Sequence, residues 1–255
     1  MKTRRICHFL LSLFVLNLFV MSGAALAAPR DPLTTALDIR GLMASPQFSQ
    51  SVQLILAISL ISLAPFFLMS VTCFMRIIIV FSFTRTALGT QQIPPNSILI
   101  GIAIFMTVFI MSPVWDEVNK TAVVPYQQGR ISQAEAFDIG QKPVKKFMLK
   151  QTRERDLALF VQFSKIPTPK KLDDIPIYVV IPSFMISELK TAFQIGFLLF
   201  VPFVMIDLIV SNILLSLGMF MLSPVMVSLP FKLLLFVLSD GWQLITRGLL
   251  ISFLR

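Results

Sequence analysis

The stretch that most constrains this chain is residues 185–242, which is apolar enough for a membrane and yet contains several ionisable side chains. A charge inside a bilayer costs about 2.5–3.5 kcal/mol even on the most lenient insertion scale. A plain lipid-facing anchor needs no charges, so each one predicts a partner or a position at the membrane boundary. The ionisable residues of the stretch are Glu188, Lys190, Asp207, Lys232 and Asp240.

The composition indicates a polytopic membrane protein. Of the 255 residues, 56% are hydrophobic and 14% are charged, whereas soluble domains are about a quarter charged. The mean hydropathy is +0.82. Several apolar runs are short or broken by proline, and broken backbone at membrane depth is tolerated only inside protein or along a water-filled cavity. We therefore predict an all-α integral membrane protein of broken helical hairpins, packed against other chains, with a largely helical polar insert.

The first 27 residues are typical of a secretory signal peptide. Three of the first five residues are basic, residues 6–21 are apolar, and Ala25-Leu26-Ala27 is a small-x-small site, so we predict cleavage after Ala27. The alternative is an uncleaved first span.

The chain divides into five regions by composition. We assign a cleaved signal peptide, an exported N-terminal segment, a first hydrophobic hairpin region, a periplasmic polar insert and a second hydrophobic hairpin region that holds a candidate loop; these are residues 1–27, 28–50, 51–113, 114–186 and 187–255. Ser112-Pro113 is expected to end one apolar run and Asn212 to separate the last two. Residues 145–163 are expected to form one amphipathic helix.

The membrane orientation follows from the signal peptide and the positive-inside rule. A cleaved signal leaves the N-terminus outside, and one crossing places the connection at 76–96, which contains Arg76 and Arg85, on the inside. A second crossing places residues 114–186 outside. That insert has 11 Lys/Arg and 8 Asp/Glu, so its net charge of +3 indicates solvated helix faces rather than a nucleic-acid site.

Residues for enzymatic chemistry are scarce. The one histidine, His8, and Cys7 both lie in the signal segment, which leaves Cys73 alone. The mature chain therefore has no imidazole, no intrachain disulfide and no thiolate metal cluster. Asp207 and Asp240 could be an intramembrane aspartyl pair, but such a pair shares a proton and nothing in the pattern holds these two together. We predict no enzyme, no cofactor and no metal site.

The charged residues of the opening stretch suggest assembly contacts. Glu188 and Lys232 have opposite signs and could pair across helices, within or between subunits. Alternatively, Glu188 and Lys190 lie at a membrane boundary, where the Lys190 stem can snorkel. Asp207 has apolar neighbours on both sides, which favours a polar contact between subunits over lipid. Asp240 is a further candidate for an assembly contact.

Residues 218–224 are the second signal in this stretch. Gly218 and Pro224 bracket Met219, Phe220 and Met221, so the segment can form a loop with glycine and proline as hinges. In a ring of subunits such a loop could project into a pore and seal it as a hydrophobic constriction. The alternative is ordinary packing of a membrane helix.

Several runs of the sequence carry a family resemblance. They are FTRTALGTQQ at 83–92, PPN at 94–96, FIMSP at 109–113, FML at 147–149 with QTRE at 151–154 and DL at 156–157, ISELKTAFQIGF at 186–197, VSLPFKL at 227–233 and DGW at 240–242. Over about residues 50–250 the chain resembles the FliP family, the flagellar branch of a type III export-gate family whose other branch serves virulence injectisomes.

The resemblance implies a non-enzymatic core subunit of the flagellar protein-export gate. It implies a helical ring of five copies with FliQ and FliR, with FlhA and FlhB nearby, in the bacterial inner membrane of the flagellar basal body and partly periplasmic. Unfolded flagellar subunits pass through its channel. Met219, Phe220 and Met221 match the family's pore gasket, although the family often has three methionines there. Glu188 and Lys232 match positions expected at subunit contacts.

Two other functions remain open at this point. An injectisome gate subunit would share most of these motifs. A small-solute channel or transporter would also explain the buried charges.

Overall fold

The computed structural model describes residues 46–90, 92–164 and 171–254, and every regular element within those ranges is helical. Two compact units are present, residues 1–61 and residues 62–255. The signal peptide, the cleavage site at Ala27 and most of the exported segment 28–50 lie outside the described residues. They remain predictions.

The first unit is described only where it forms part of helix α1, Pro46–Val71. The helices that follow differ widely in length and in polarity. They are α2 Phe74–Ala87, α3 Asn96–Val118, the π-helix Asn119–Val123, α4 Val124–Gln127, α5 Gln133–Gln151, α6 Glu154–Phe163, the 3₁₀ turn Leu172–Asp174, α7 Ile177–Ser216, α8 Pro224–Leu238 and α9 Gly241–Leu254.

Two helical segments are long and apolar enough to cross a membrane by length and composition, Asn96–Gln127 and Ile177–Ser216. Two bent pairs could each be a broken span, Ile61–Val71 with Phe74–Ala87 and Pro224–Leu238 with Gly241–Phe253. The second pair bends by 61° at Asp240, which has a φ of 49°. These elements confirm the predicted all-α membrane fold.

At three places the helices begin or end at other residues than the sequence pattern indicated. Ser112-Pro113, which was predicted to end an apolar run, does not end the helix, because α3 runs through Pro113 to Val118. Proline removes the N–H that the carbonyl four residues earlier would accept. Here Ser112 Oγ donates to Phe109 O at 3.0 Å and supplies a donor in its place.

The second difference is at Asn212, which was predicted to separate the last two apolar segments and lies inside α7. The chain turns instead at residues 217–223. Gly218 has a φ of 72° there, a left-handed conformation that glycine adopts readily because it has no Cβ. Pro224 then starts α8 at a position that suits its fixed φ. The predicted region bounds at 113 and 186 likewise fall inside helices, and the division into regions stays a prediction.

The third difference is at residues 145–163, where one amphipathic helix was predicted and two helices are present. The chain extends at Thr152 and Arg153 between α5 and α6. The freed Arg153 N–H donates to Ser187 Oγ at 2.9 Å on α7. A side chain from a distant helix therefore replaces the local hydrogen bond that a continuous helix would have made.

Two hydrophobic clusters hold the second unit together. The larger joins α2, α3, α7, α8 and α9 around Ile77, Phe81 and Leu249. The smaller packs α5 and α6 on the start of α7 around Met148, Val180 and Phe184. The α2–α7 crossing is close because Gly196 has no side chain and the ring of Phe83 lies against it.

Candidate functional site

A buried polar network is centred on Arg76 of α2. Its guanidinium forms an ion pair with Glu188 of α7, and the two side chains are 3% and 0% exposed. It also donates to Ser252 Oγ at 3.0 Å and Gln151 Oε1 at 3.2 Å. The guanidinium lies 3.9 Å from the centre of the Phe253 ring. One cation thus connects α2, α5, α7 and α9.

The Arg76 network explains how an apolar helix tolerates Glu188. A buried carboxylate is stable only when a partner and hydrogen bonds offset its desolvation. The fork of Arg76 supplies two donors to it, one at 2.8 Å from Nε. Within the chain, Glu188 therefore pairs with Arg76 rather than with Lys232, which was one of the pairings that the sequence allowed.

A second buried cluster joins α7, α8 and the end of α2. Asp207 Oδ2 accepts from Lys232 Nζ at 2.6 Å, and Asp207 Oδ1 accepts from Ser228 Oγ at 2.5 Å. Lys232 Nζ also donates to Ala87 O at 3.4 Å. The side chain of Lys232 is 4% exposed and that of Asp207 is 29% exposed. Asp207 and Lys232, two of the charges in the apolar stretch 185–242, thus pair with each other within the chain.

The polar insert packs against polar side chains in the N-terminal half of α7. Arg153 donates to Thr191 Oγ1 at 2.9 Å and to Gln194 Oε1 at 2.5 Å. Lys190 forms an ion pair with the buried Asp156 of α6. The N-terminal half of α7 is therefore packed against polar protein, which is incompatible with full contact with lipid there.

The loop 217–223 exposes a cluster of apolar side chains. Met219, Phe220 and Met221 are 47%, 75% and 100% exposed. The backbone turns through Gly218, and Met219 N–H donates to Leu214 O at 2.9 Å to close the end of α7. Large apolar groups in this number are not left in water without a partner or a membrane to cover them.

Asp240 occupies a separate place. It is exposed and forms the turn between α8 and α9, where its carbonyl accepts from Leu244 N–H at 3.0 Å. Gly241 follows in direct contact with the ring of Phe236. Phe236 also packs edge-on against Trp242 at 5.3 Å between ring centres.

The structure brings together some predicted residues and adds others. Asp207 and Lys232 meet, whereas Glu188, Lys190 and Asp240 lie in three other environments. The sequence reading missed the roles of Arg76, Gln151, Asp156 and Ser228. Arg76 had a usable signal, because it is a charge between two apolar runs and therefore needed a partner.

Apolar helices of membrane length, ion pairs buried between them and an exposed apolar loop define the class of protein: the chain is an all-α membrane protein. The FliP family model matches residues 57–249. The chain belongs to the FliP family.

Individual relatives agree with the family match. The flagellar biosynthetic protein FliP of Bacillus subtilis (strain 168) is 54% identical over 205 residues, which cover 80% of this chain and 93% of that protein. The protein of the same name from Caulobacter vibrioides is 48% identical over 204 residues, 80% of this chain and 77% of the relative. That from Treponema pallidum (strain Nichols) is 41% identical over 260 residues and covers 96% of both chains.

Proposed function

We propose that this chain is a non-enzymatic subunit of the flagellar type III export gate and that its 217–223 loop closes the channel for unfolded flagellar subunits. The observation that carries the proposal is the loop itself, in which Met219, Phe220 and Met221 are exposed between two apolar helices. Relatives at 41–54% identity are named flagellar biosynthetic proteins, which supports the flagellar pathway over a virulence injectisome.

The proposed closing mechanism is a soft hydrophobic constriction. Copies of the loop around one axis form a narrow apolar ring, which stops ions because water does not wet it. Methionine is unbranched and adaptable, so Met219 and Met221 can move aside for a chain of varying sequence. Phe220 is stiffer and fills more of the opening. Gly218 and Pro224 act as the hinges at the two ends of the loop.

The proposed assembly is a ring of five copies that contacts FliQ and FliR, with FlhA and FlhB nearby. An uncharged face of α8 supports such packing, since Met226, Leu234 and Val237 are exposed opposite the buried Lys232. Glu188 and Lys232 serve assembly by fixing the helices that present such faces. Lys190, Asp207 and Asp240 keep exposed surface of their own and are available to a neighbouring subunit.

The proposed location is the bacterial inner membrane, with part of the chain in the periplasm. Helix α7 has 40 residues, so at 1.5 Å per residue it is about 60 Å long, twice the thickness of a hydrocarbon core. Its residues 187–194 contact the polar insert. This supports an N-terminal half of α7 outside the hydrocarbon core, on the same side as the insert.

Two experiments test the proposal. Deletion of the gene should abolish filament assembly and secretion of flagellar subunits, and the wild-type chain should restore both. Replacement of Met219, Phe220 and Met221 together by Ala should let ions leak through the resting gate, because the apolar constriction is lost. The matched control is Phe197→Ala with Met205→Ala, which removes the same kinds of exposed side chain from α7. If the assembled triple variant leaks no more ions than this control, the proposed role of the loop in closing the channel is contradicted.

A further inference from the structure

In the part of the chain that the structure describes, the loop 217–223 has hydrogen bonds only within itself and to the adjoining ends of α7 and α8. Every hydrogen bond described for residues 208–227 is local in sequence, such as Ser216 Oγ to Asn212 O at 2.8 Å and Met226 N to Ser223 O at 3.2 Å. The position of the loop therefore depends on the two helices that carry it, the end of α7 and the start of α8. We call these the two stems.

The two stems are joined by polar bonds at Asp207. Ser228 and Lys232 are four residues apart, so they lie on one face of α8. Each of them donates to a different oxygen of Asp207, at 2.5 Å and 2.6 Å respectively. Ser228 is fully buried and the side chain of Lys232 is 4% exposed. The carboxylate thus binds two successive turns of α8 to one point on α7.

Lys232 extends this junction to a third helix. Its Nζ donates to Ala87 O in the last turn of α2, at 3.4 Å. A cation at a helix C-terminus is favourable because it faces the unpaired carbonyls of the helix dipole. Gly89, just beyond, lies beside Val225 and Leu229 of α8. The start of α8 is therefore held between α7 and the end of α2.

We infer that Ser228 and Lys232, acting through Asp207, are positioning residues that set the geometry of the two stems and hence the place of the loop in the closed gate. The role in closure rests on the proposed function, whereas the geometry of the stems does not. Ser228 is four residues from the start of α8 and Asp207 nine residues from the end of α7. At 1.5 Å per residue these are about 6 Å and about 14 Å from the loop.

The test measures the distance between the stems in the assembled complex. Spin labels are attached to Ser216→Cys and Ser223→Cys, which lie at the exposed ends of the loop, with Cys7 and Cys73 replaced by Ala. Labelled chains are diluted with unlabelled chains so that one assembly holds one labelled pair. Ser228→Ala removes a hydrogen bond to a charged acceptor, so the population with separated stems should rise about tenfold.

The matched control is Ser183→Ala. Ser183 is also a fully buried helical serine, but among the described residues its hydroxyl donates within its own helix, to Val179 O at 2.7 Å. Its distance distribution should equal that of the wild type. An unchanged distribution in Ser228→Ala, or equal broadening in Ser183→Ala, would overturn the inference.

A second background tests whether Ser228 acts through Asp207. Asp207→Ala with Lys232→Met removes both charges together, which folded proteins tolerate far better than the loss of one partner. In that background, Ser228→Ala should cause no further broadening. Full additional broadening would show that the serine acts independently, which contradicts the inference.

The same samples separate this inference from the proposed function. If the stems of Ser228→Ala separate and the Met219, Phe220 and Met221 triple variant does not leak, the positioning role is supported and the proposed closing function of the loop is refuted. If the triple variant leaks and the Ser228→Ala distances are unchanged, the gate stands and the positioning role is refuted.

Discussion

The crossing of α2 and α7 at Gly196 allows a prediction with a magnitude. An ideal Cβ at this glycine would lie 2.6 Å from Phe83 Cδ2, 2.7 Å from its Cγ and 3.1 Å from its Cβ. Carbon atoms in favourable contact are about 3.5–4.0 Å apart. In Gly196→Ala the side chain of Phe83 would have to move by about 1 Å. Two of the three atoms that the new methyl group would meet, Cβ and Cγ, lie close to the Phe83 backbone and therefore have little freedom to move.

The neighbours of Phe83 oppose that movement. Its ring packs edge-on against Phe193 at 5.1 Å and Phe200 at 6.1 Å, one turn on either side of Gly196. Each aromatic pair contributes about 0.5–1.5 kcal/mol, and overpacking a core costs about 1–3 kcal/mol. Alanine regains about 1 kcal/mol of helix propensity over glycine. The expected net loss in the free energy of unfolding is about 2 kcal/mol.

The assay is thermal unfolding of the purified protein in detergent. A loss of about 2 kcal/mol lowers Tm by roughly 4–8 °C for a chain of this size. Gly248→Ala is the matched control, because an added Cβ there meets no atom within 4 Å, and it should leave Tm unchanged or higher. In a Phe83→Ala background, Gly196→Ala should cost little more. The reasoning is refuted if Gly196→Ala and Gly248→Ala have the same Tm.

Two further predictions concern the Arg76 network and the polar insert. Arg76→Met should destabilise the protein by about 3–5 kcal/mol, because it leaves Glu188 buried and unpaired. Arg76→Met with Glu188→Met should recover most of that loss. The Tm values of the wild type, the single variant and the double variant check this, and an equal loss of Tm in both variants would contradict it. At the start of α5, hydrogen bonds from the backbone and side chain of Ser132 hold the pKa of Glu135 below its usual value of 4.5. The stabilisation from these hydrogen bonds is fully present at a pH above 4.5 and is lost as the pH falls through the pKa of Glu135 in the folded protein. Hydrogen exchange of α5, corrected for the intrinsic effect of pH, should rise on acidification in the wild type and less so in Ser132→Ala.

Part of the fold could be read from the pattern of residues alone. The apolar runs predicted the membrane helices, and the glycine and proline around 219–221 indicated where a loop could form. The helix ends were less predictable. Pro113 does not break its helix because a serine side chain supplies a donor to the carbonyl that the proline leaves unpaired, and the break at Arg153 exists because Ser187 of a distant helix accepts its N–H.

The candidate site shows the same division. Sequence reasoning established that Glu188, Asp207 and Lys232 needed partners, since an unpaired charge in an apolar segment is too costly to keep. It could not name the partners. Arg76 and Glu188 are 112 residues apart, and no local period relates two positions so distant.

For residues 185–242, the sequence by itself determined that the segment is helical, apolar and obliged to neutralise its charges. Those properties follow from side-chain chemistry and from the cost of burial, which are the same in any fold. The tertiary structure alone decided that Glu188 belongs to Arg76 and that Asp207 joins Ser228 to Lys232. The packing of the helices decides such pairs, because a partner must be within hydrogen-bond reach as well as of the right charge.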